Sequence, residues 1–499
     1  MREPAPTEIL ERAAAAELER DLLDTAQAGP AAIRGSALRV GGYVVGIGAS
    51  VLSISLLIRH LGVADFGRYV TVVSLITIVQ GVTDAGLATV GVREYAVRTG
   101  EARNRLMRNL TGVRLVLTAA GTLVATGFAL VAGYGSTLVL GTLVGGAGLV
   151  LSVAQGTLAI PLVSQLRLGW VTALDLLRQA LTVAAFVALI VAGATLFPFL
   201  AVTVPVGIVL LAGTAALVYR SMPLRPSFEV DEWWLLLRQV LPYAAAAAIG
   251  VIYFRVTVIV MSLIAGELET GYYATAYRVL EVLIAIPQLL IGATLPILAR
   301  AARDDEERLR YVLQRLFDAM LIVGAWVALA VVIGAPFAVE VLAGGEADPA
   351  VPALRIQALA LAANFLATGW MYGLLSLRHH ASLLVLSAVA LVISVTLTLV
   401  LVPRHGADGA AIAVTVGELA VAVMALGLLR RARRDLWPSF ATVPRVLPAV
   451  ALAAAAGFVP GIGPVAGVAA ATVVYVGVLA ALRAIPAELL QAVRRRDRA

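Results

Sequence analysis

Long apolar runs separated by short polar stretches dominate the chain from residue 37 onward. A helix needs about 20 apolar residues to cross about 30 Å of hydrocarbon at 1.5 Å per residue. Fourteen runs meet that requirement. The first six are Ala37–Ile58, Tyr69–Val90, Val113–Tyr134, Thr137–Val163, Val171–Ala194 and Phe199–Tyr219. The next six are Val240–Leu263, Tyr272–Leu298, Leu316–Phe337, Ile356–Leu375, Ala381–Val402 and Gly409–Leu429. Ala441–Val459 and Ile462–Leu482 complete the set. A backbone in lipid must satisfy its own hydrogen bonds, so the pattern predicts an all-α polytopic membrane protein with 14 transmembrane helices. Pro287 and Pro296 interrupt the eighth run, and Pro198 and Pro205 the start of the sixth; each removes a backbone donor and permits a kink.

Arginine placement tests this count, because short loops that stay in the cytoplasm carry the basic residues. With the amino terminus inside, cytoplasmic stretches hold Arg93, Arg98, Arg103, Arg105 and Arg108, then Arg167 and Arg178, then Arg220 and Arg225. They continue with Arg300, Arg303, Arg308 and Arg310, then Arg378, then Arg430, Arg431, Arg433 and Arg434. The outer loops hold only Arg59, Arg68, Arg355 and Arg404. Both termini are therefore expected in the cytoplasm of a prokaryotic cell, with the chain spanning its plasma membrane many times.

Composition agrees with lipid as the solvent. Of 499 residues, 61% are hydrophobic and 14% charged, where soluble domains carry roughly a quarter charged residues. All 38 basic residues are arginine, for the sequence contains no lysine, and the net charge is +7. The absence of Cys excludes disulfides and thiolate metal sites. Residues 1–36 are acidic, with a predicted amphipathic helix at 8–26 and no secretory signal pattern. The carboxyl tail ends in Arg494, Arg495 and Arg496, which suit anionic inner-leaflet lipid.

Membrane carriers are often built from related halves, and the loops after the first and seventh runs match at an offset of 204 residues. Gly62 aligns with Gly266, Gly67 with Gly271, and Tyr69 with Tyr273. An even number of spans separates the copies, so they share one orientation. The expected layout is two pseudo-symmetric six-helix lobes around a central cavity, residues 37–235 and 236–435. A cytosolic tail precedes them, and two further helices with a basic tail follow over 436–499.

The stretch Leu61-Gly62-Val63-Ala64-Asp65-Phe66-Gly67-Arg68-Tyr69, with Asp84-Ala85-Gly86-Leu87 and Arg93-Glu94-Tyr95-Ala96, resembles the amino-terminal signature of polysaccharide and O-antigen flippases. The resemblance continues through Gly271-Tyr272-Tyr273-Ala274-Thr275-Ala276-Tyr277-Arg278 and Val402-Pro403-Arg404-His405-Gly406-Ala407-Asp408-Gly409. That family shares a superfamily with multidrug extruders and lipid II flippases. The resemblance implies a membrane transporter of the cell envelope that works by alternating access on a lipid-linked oligosaccharide of the undecaprenyl-pyrophosphate type. Its setting would include membrane lipids and, as protein partners, a polysaccharide polymerase or glycosyltransferases, but no nucleic acid. Many members of the resembled family carry an Asp just after the arginine of the seventh helix. Here the residues are Arg255-Val256-Thr257, so no coupling role is carried over from that acid.

Charges inside the spans need a partner, a wet cavity or a function, because each costs at least about 2.5 kcal/mol at the bilayer centre. Helical rise places Arg255 about 12 Å and Arg278 about 9 Å from the outer ends of their spans, with Glu281 one turn below Arg278. Arg278 and Glu281 neutralise one another in the simpler reading. In the functional one, Arg255 and Arg278, with Arg39 and Arg59 at the rims, hold a lipid pyrophosphate, because guanidinium forks match phosphate oxygens. Tyr277 is a candidate for stacking on sugar. Glu281, Glu418, Asp84 and Asp318 are candidates for coupling to a proton or sodium gradient, Glu418 because it lies about 15 Å into its helix. Asp84 and Asp318 equally suit capping, or pairing with Arg93 or Arg315. A multidrug extruder of organic cations would line its cavity with acids instead, and is the alternative within the superfamily. A lipid-linked glycan polymerase would need catalytic groups on a large outer loop. The longest outer loop, about 338–355, offers only Glu340, Glu346 and Asp348. No phosphate-binding Gly loop or metal-ligand spacing occurs, so neither a catalytic centre, a metal nor a cofactor is expected.

Overall fold

A computed structural model describes residues 28–84, 86–219, 221–292, 294–377 and 379–484. Both tails, with the predicted 8–26 helix and Arg494 to Arg496, lie outside them, as does the side chain of Arg39. Among the described residues every regular element is helical.

The longest element, α1 (Ala28–Asp84), has 57 residues, which at 1.5 Å per residue is far more than one bilayer thickness. It is two helices joined at Gly62, whose φ of 79° and ψ of 168° only glycine adopts without strain. The polar segment 59–68 makes the same break in the sequence pattern. The second helix ends at Asp84, six residues earlier than the pattern predicts, and the chain turns through Gly86 into α2 (Leu87–Val97). After α3 (Gly100–Val131) and α4 (Ser136–Leu158) come the single turn α5 (Ile160–Ser164), α6 (Leu168–Val191), α7 (Leu196–Ala201) and α8 (Thr203–Val218). The break between α7 and α8 falls at Val202, between Pro198 and Pro205.

The second half repeats this plan. Helix α9 (Val230–Ile264) leads into α10 (Gly266–Leu283), α11 (Ala285–Gly292) and α12 (Leu295–Asp304). The expected eighth span, Tyr272–Leu298, is thus three short helices, broken close to the two prolines. Then follow α13 (Glu306–Ala343), α14 (Ala350–Ser376), α15 (His380–Ala432), α16 (Val443–Gly457) and α17 (Pro464–Ala481). Helix α15 is again two helices, joined at Gly406. Among the described residues, ten helical stretches are long and apolar enough to cross a membrane, and two of these contain the breaks at Gly62 and Gly406. The 15-residue α16 is apolar but shorter than a full crossing.

The chain divides into two compact units: residues up to Ser53 with Val79–Ala244, and Ile54–Ile78 with Ala245 onward. In the first, α4 packs on α3 and α8 through small residues, since lipid supplies no hydrophobic drive between helices. Thr118, Thr122 and Thr126 are buried along one face of α3, and each returns its hydroxyl to the carbonyl four residues back. In the second, α13, α14 and α15 form the centre. Helices α16 and α17 cover α13 through Leu329, Ile333, Val446, Ala453 and Ala471, and the Tyr475 hydroxyl donates to the Ile322 carbonyl at 2.8 Å.

The tip of the first hairpin belongs to the second unit, and there the internal repeat is visible as geometry. Gly62 and Gly266 both turn the chain at positive φ, 79° and 81°. Thr71 and Thr275, also 204 apart, donate to the carbonyls of Gly67 and Gly271 at 2.9 and 2.8 Å. A Cβ on Gly67 would strike the carbonyl of Glu267, and one on Gly271 would strike the carbonyl of Val63. Adding 204 to Gly67 gives Gly271 and taking 204 from Glu267 gives Val63, so the second contact is the first with the copies exchanged, and the two loops meet by a local two-fold relation. Arg68 adds an ion pair to Glu267 at 2.5 Å.

Candidate functional site

Two helices of the second unit, α9 and α10, bring the intramembrane charges together. Arg255, on the carboxyl-terminal half of α9, donates through Nη2 to Oε1 of Glu281 at 2.5 Å. Arg278 on α10 donates through Nη1 to Oε2 of the same carboxylate at 2.6 Å. The contact between Arg278 and Glu281 follows from their three-residue spacing; the one to Arg255 spans 26 residues and joins two helices. One carboxylate therefore serves two guanidiniums. The side chains are 15% (Arg255), 24% (Arg278) and 29% (Glu281) exposed. The expected pairing of Arg278 with Glu281 is present, and Arg255 joins it as a third member.

Beside the cluster lies a narrow cavity of about 10 Å³, lined by Tyr253, Phe254, Thr257, Tyr273, Tyr277 and Glu418 among others. That is room for about one water molecule. Tyr277 is 6% exposed and stacks on Tyr273, with ring centroids 5.8 Å apart. Its ring lines this cavity. At the pocket wall Glu418, 5% exposed, accepts from the Tyr253 hydroxyl at 2.9 Å and from Asn364 Nδ2 at 3.1 Å. No ion pair to Glu418 occurs among the described residues. It is an acid buried with neutral donors alone.

The remaining candidates have other partners. Arg59, expected at a phosphate-binding rim, donates to the carbonyls of Glu340 and Val341 at 2.7 and 3.1 Å. Those carbonyls belong to the last turn of α13, where that of Glu340 also accepts from the Gly344 N–H, and the negative end of the helix favours a cation. Asp84 meets neither a cap nor Arg93. It takes Arg114 Nη2 at 2.5 Å, while Arg114 Nη1 donates to Thr157 Oγ1 at 2.6 Å. Asp318 accepts from Gln314 at 3.1 Å and Thr442 at 2.7 Å, tying α13 to the segment before α16. Arg114, Tyr253 and Asn364 were not singled out in the sequence; Arg114 sits at the edge of an apolar run, and the other two are uncharged. No group of three or more acids or histidines suited to a metal occurs among the described residues.

The sequence matches the model of a family described as polysaccharide biosynthesis protein over residues 56–352, well over half the chain. The chain belongs to that family. This polysaccharide biosynthesis protein also matches the family model of the lipid II flippase MurJ over residues 289–481. A search of curated proteins finds no match. Among solved structures it resembles the lipid II flippase MurJ in an inward closed conformation, at 9% identity and a TM-score of 0.75, over 89% of this chain and 98% of the other. It also resembles an inward-facing multidrug resistance MATE family transporter of the MOP superfamily, at 16% identity and a TM-score of 0.61, over 78% of this chain and 93% of the other. A third is a MOP superfamily transporter from Pyrococcus furiosus, at 16% identity and a TM-score of 0.54, over 82% and 96%. At these identities the likeness is one of fold. The chain is thus a multi-pass membrane protein of the polysaccharide biosynthesis family with a fold like that of these transporters.

Proposed function

We propose that the protein moves a polyprenyl-pyrophosphate-linked oligosaccharide from the cytoplasmic to the outer leaflet by alternating access, with Arg255 and Arg278 holding the pyrophosphate. The observation that carries this reading is the pair of guanidiniums converging on one carboxylate inside the membrane region. Two guanidiniums held side by side there repel one another, and a bound anion lowers that cost. The polar head group cannot cross hydrocarbon unaided, whereas its lipid tail can remain in the bilayer throughout. Helix α13 ends at Ala343 and α14 begins at Ala350, which leaves little outer backbone on which a polymerase could mount catalysis.

Glu418 supplies the coupling step in this reading. Its partners are neutral donors, so the carboxylate can take up a proton without abandoning a cation. A second reading, export of organic cations, draws on the same pocket, since tyrosine faces beside a carboxylate attract such cations.

The test uses membrane vesicles loaded with a labelled lipid-linked glycan. Arg255→Gln together with Arg278→Gln should insert and fold yet stop outward movement of the glycan. Transport at the wild-type rate by the double variant removes the site assignment, and loss of dye efflux with intact glycan transport establishes the second reading.

A further inference from the structure

Glu281 uses both carboxylate oxygens, one for a guanidinium on its own helix and one for a guanidinium on the next. Two guanidiniums bridged by two oxygens of one anion is also the arrangement by which arginines grip a phosphoryl group. We propose that Glu281 is a built-in place-holder for the substrate phosphate. It occupies the space between Arg255 and Arg278 while the site is empty, gives way to the phosphoryl oxygens on loading, and returns to the arginines to expel them on release. The inference rests on the pyrophosphate reading above.

Three features support it. First, the exchange keeps both guanidiniums paired at every stage, so neither is left as an uncompensated charge. Second, Glu281 stays within one turn of Arg278 on α10 whichever anion is bound, so it remains at high local concentration and can re-enter without diffusing. Third, the charges fit: moving the carboxylate aside turns two guanidiniums toward a pyrophosphate whose two phosphoryl groups each carry one negative charge. The exposures of 15%, 24% and 29% mean that the exchange requires no unpacking of the core. A place-holder weakens binding by design, and that weakness is what permits turnover.

The test measures binding of undecaprenyl diphosphate, without sugar, to the full chain in lipid nanodiscs, alongside outward transport in vesicles. Glu281→Gln keeps the shape but removes the competing charge; it should bind about tenfold more tightly, the scale of one close charge pair, and transport more slowly. Glu281→Asp, one methylene shorter, keeps the charge but cannot bridge both arginines, and should fall between wild type and Glu281→Gln; it decides the matter if Glu281→Gln does not fold. Tighter binding with slower transport is a split that a merely structural residue would not produce. If both variants bind no more tightly than wild type while Arg255→Gln/Arg278→Gln loses binding, the place-holder is refuted and the pyrophosphate reading stands. Equal binding by wild type and the double arginine variant refutes both.

Discussion

In the first unit Arg114 meets one carboxylate, that of Asp84, with Thr157 completing its contacts; in the second, Arg255 and Arg278 share Glu281. Both clusters join helices across the membrane region, and both were built from the residue types that lipid penalises most. The difference lies in the ratio. A one-to-one pair with a 6% exposed arginine is closed and holds helices in place. A cluster in which two partly exposed arginines share one carboxylate is open and can take up another anion. Sharing and exposure together, rather than burial alone, distinguish the proposed site from a staple.

That distinction can be broken by experiment. The largest effect is expected in the first unit: Arg114→Leu leaves Asp84 without its cation and should destabilise the protein by about 3 kcal/mol, the low end for a buried pair because Asp84 is 36% exposed. Thermal unfolding in detergent measures this, and transport per folded molecule should be unchanged. A loss of transport at unchanged stability would make Arg114 a functional residue and erase the contrast. The second variant is Glu418→Gln, which probes an acid with no cation at all. Its stability should change by less than about 1 kcal/mol, because the amide oxygen still accepts one of the two donors. Glycan transport should lose its response to an imposed proton gradient, and a response equal to wild type would remove Glu418 from coupling.

The smallest effect concerns a solvated cluster on the polar segment after α15. There Arg433 is shared by Asp435, through contacts of 2.9 and 2.8 Å, and by Glu306 at 3.1 Å, while Asp435 also meets Arg310 at 3.7 Å. The forked hydrogen bonds from Arg433 hold the Asp435 carboxyl down to about 2, below its ordinary value of 3.8. A depressed carboxylate contributes stability above its ordinary value and loses it as pH falls through about 2. Unfolding followed from pH 5 down to pH 2 should show a loss below about 1 kcal/mol, since the pair is solvated, and Asp435→Asn should remove that pH dependence.

Much of the fold was legible because lipid leaves the backbone few choices. Apolar runs become helices, and the breaks at Gly62 and Gly406 coincide with polar interruptions in the pattern. The fragmentation of the eighth span followed from Pro287 and Pro296. The site was legible only where partners lie within a helical turn, as with Arg278 and Glu281. Contacts of Arg255 with Glu281 over 26 residues, Asp84 with Arg114 over 30, and Glu418 with Tyr253 over 165 depend on helix packing, which hydropathy does not encode. The sharing of one carboxylate by two arginines was therefore invisible until the three side chains met at one place.

The reciprocal seating of Gly67 and Gly271 has a consequence for inheritance as well as for shape. Each loop is the mould of the other, so a methyl group gained by either copy collides with its counterpart's main chain and cannot be absorbed by a neighbouring rotamer. The duplicated loops are bound to change together or not at all, and this joint should be the slowest part of the molecule to drift.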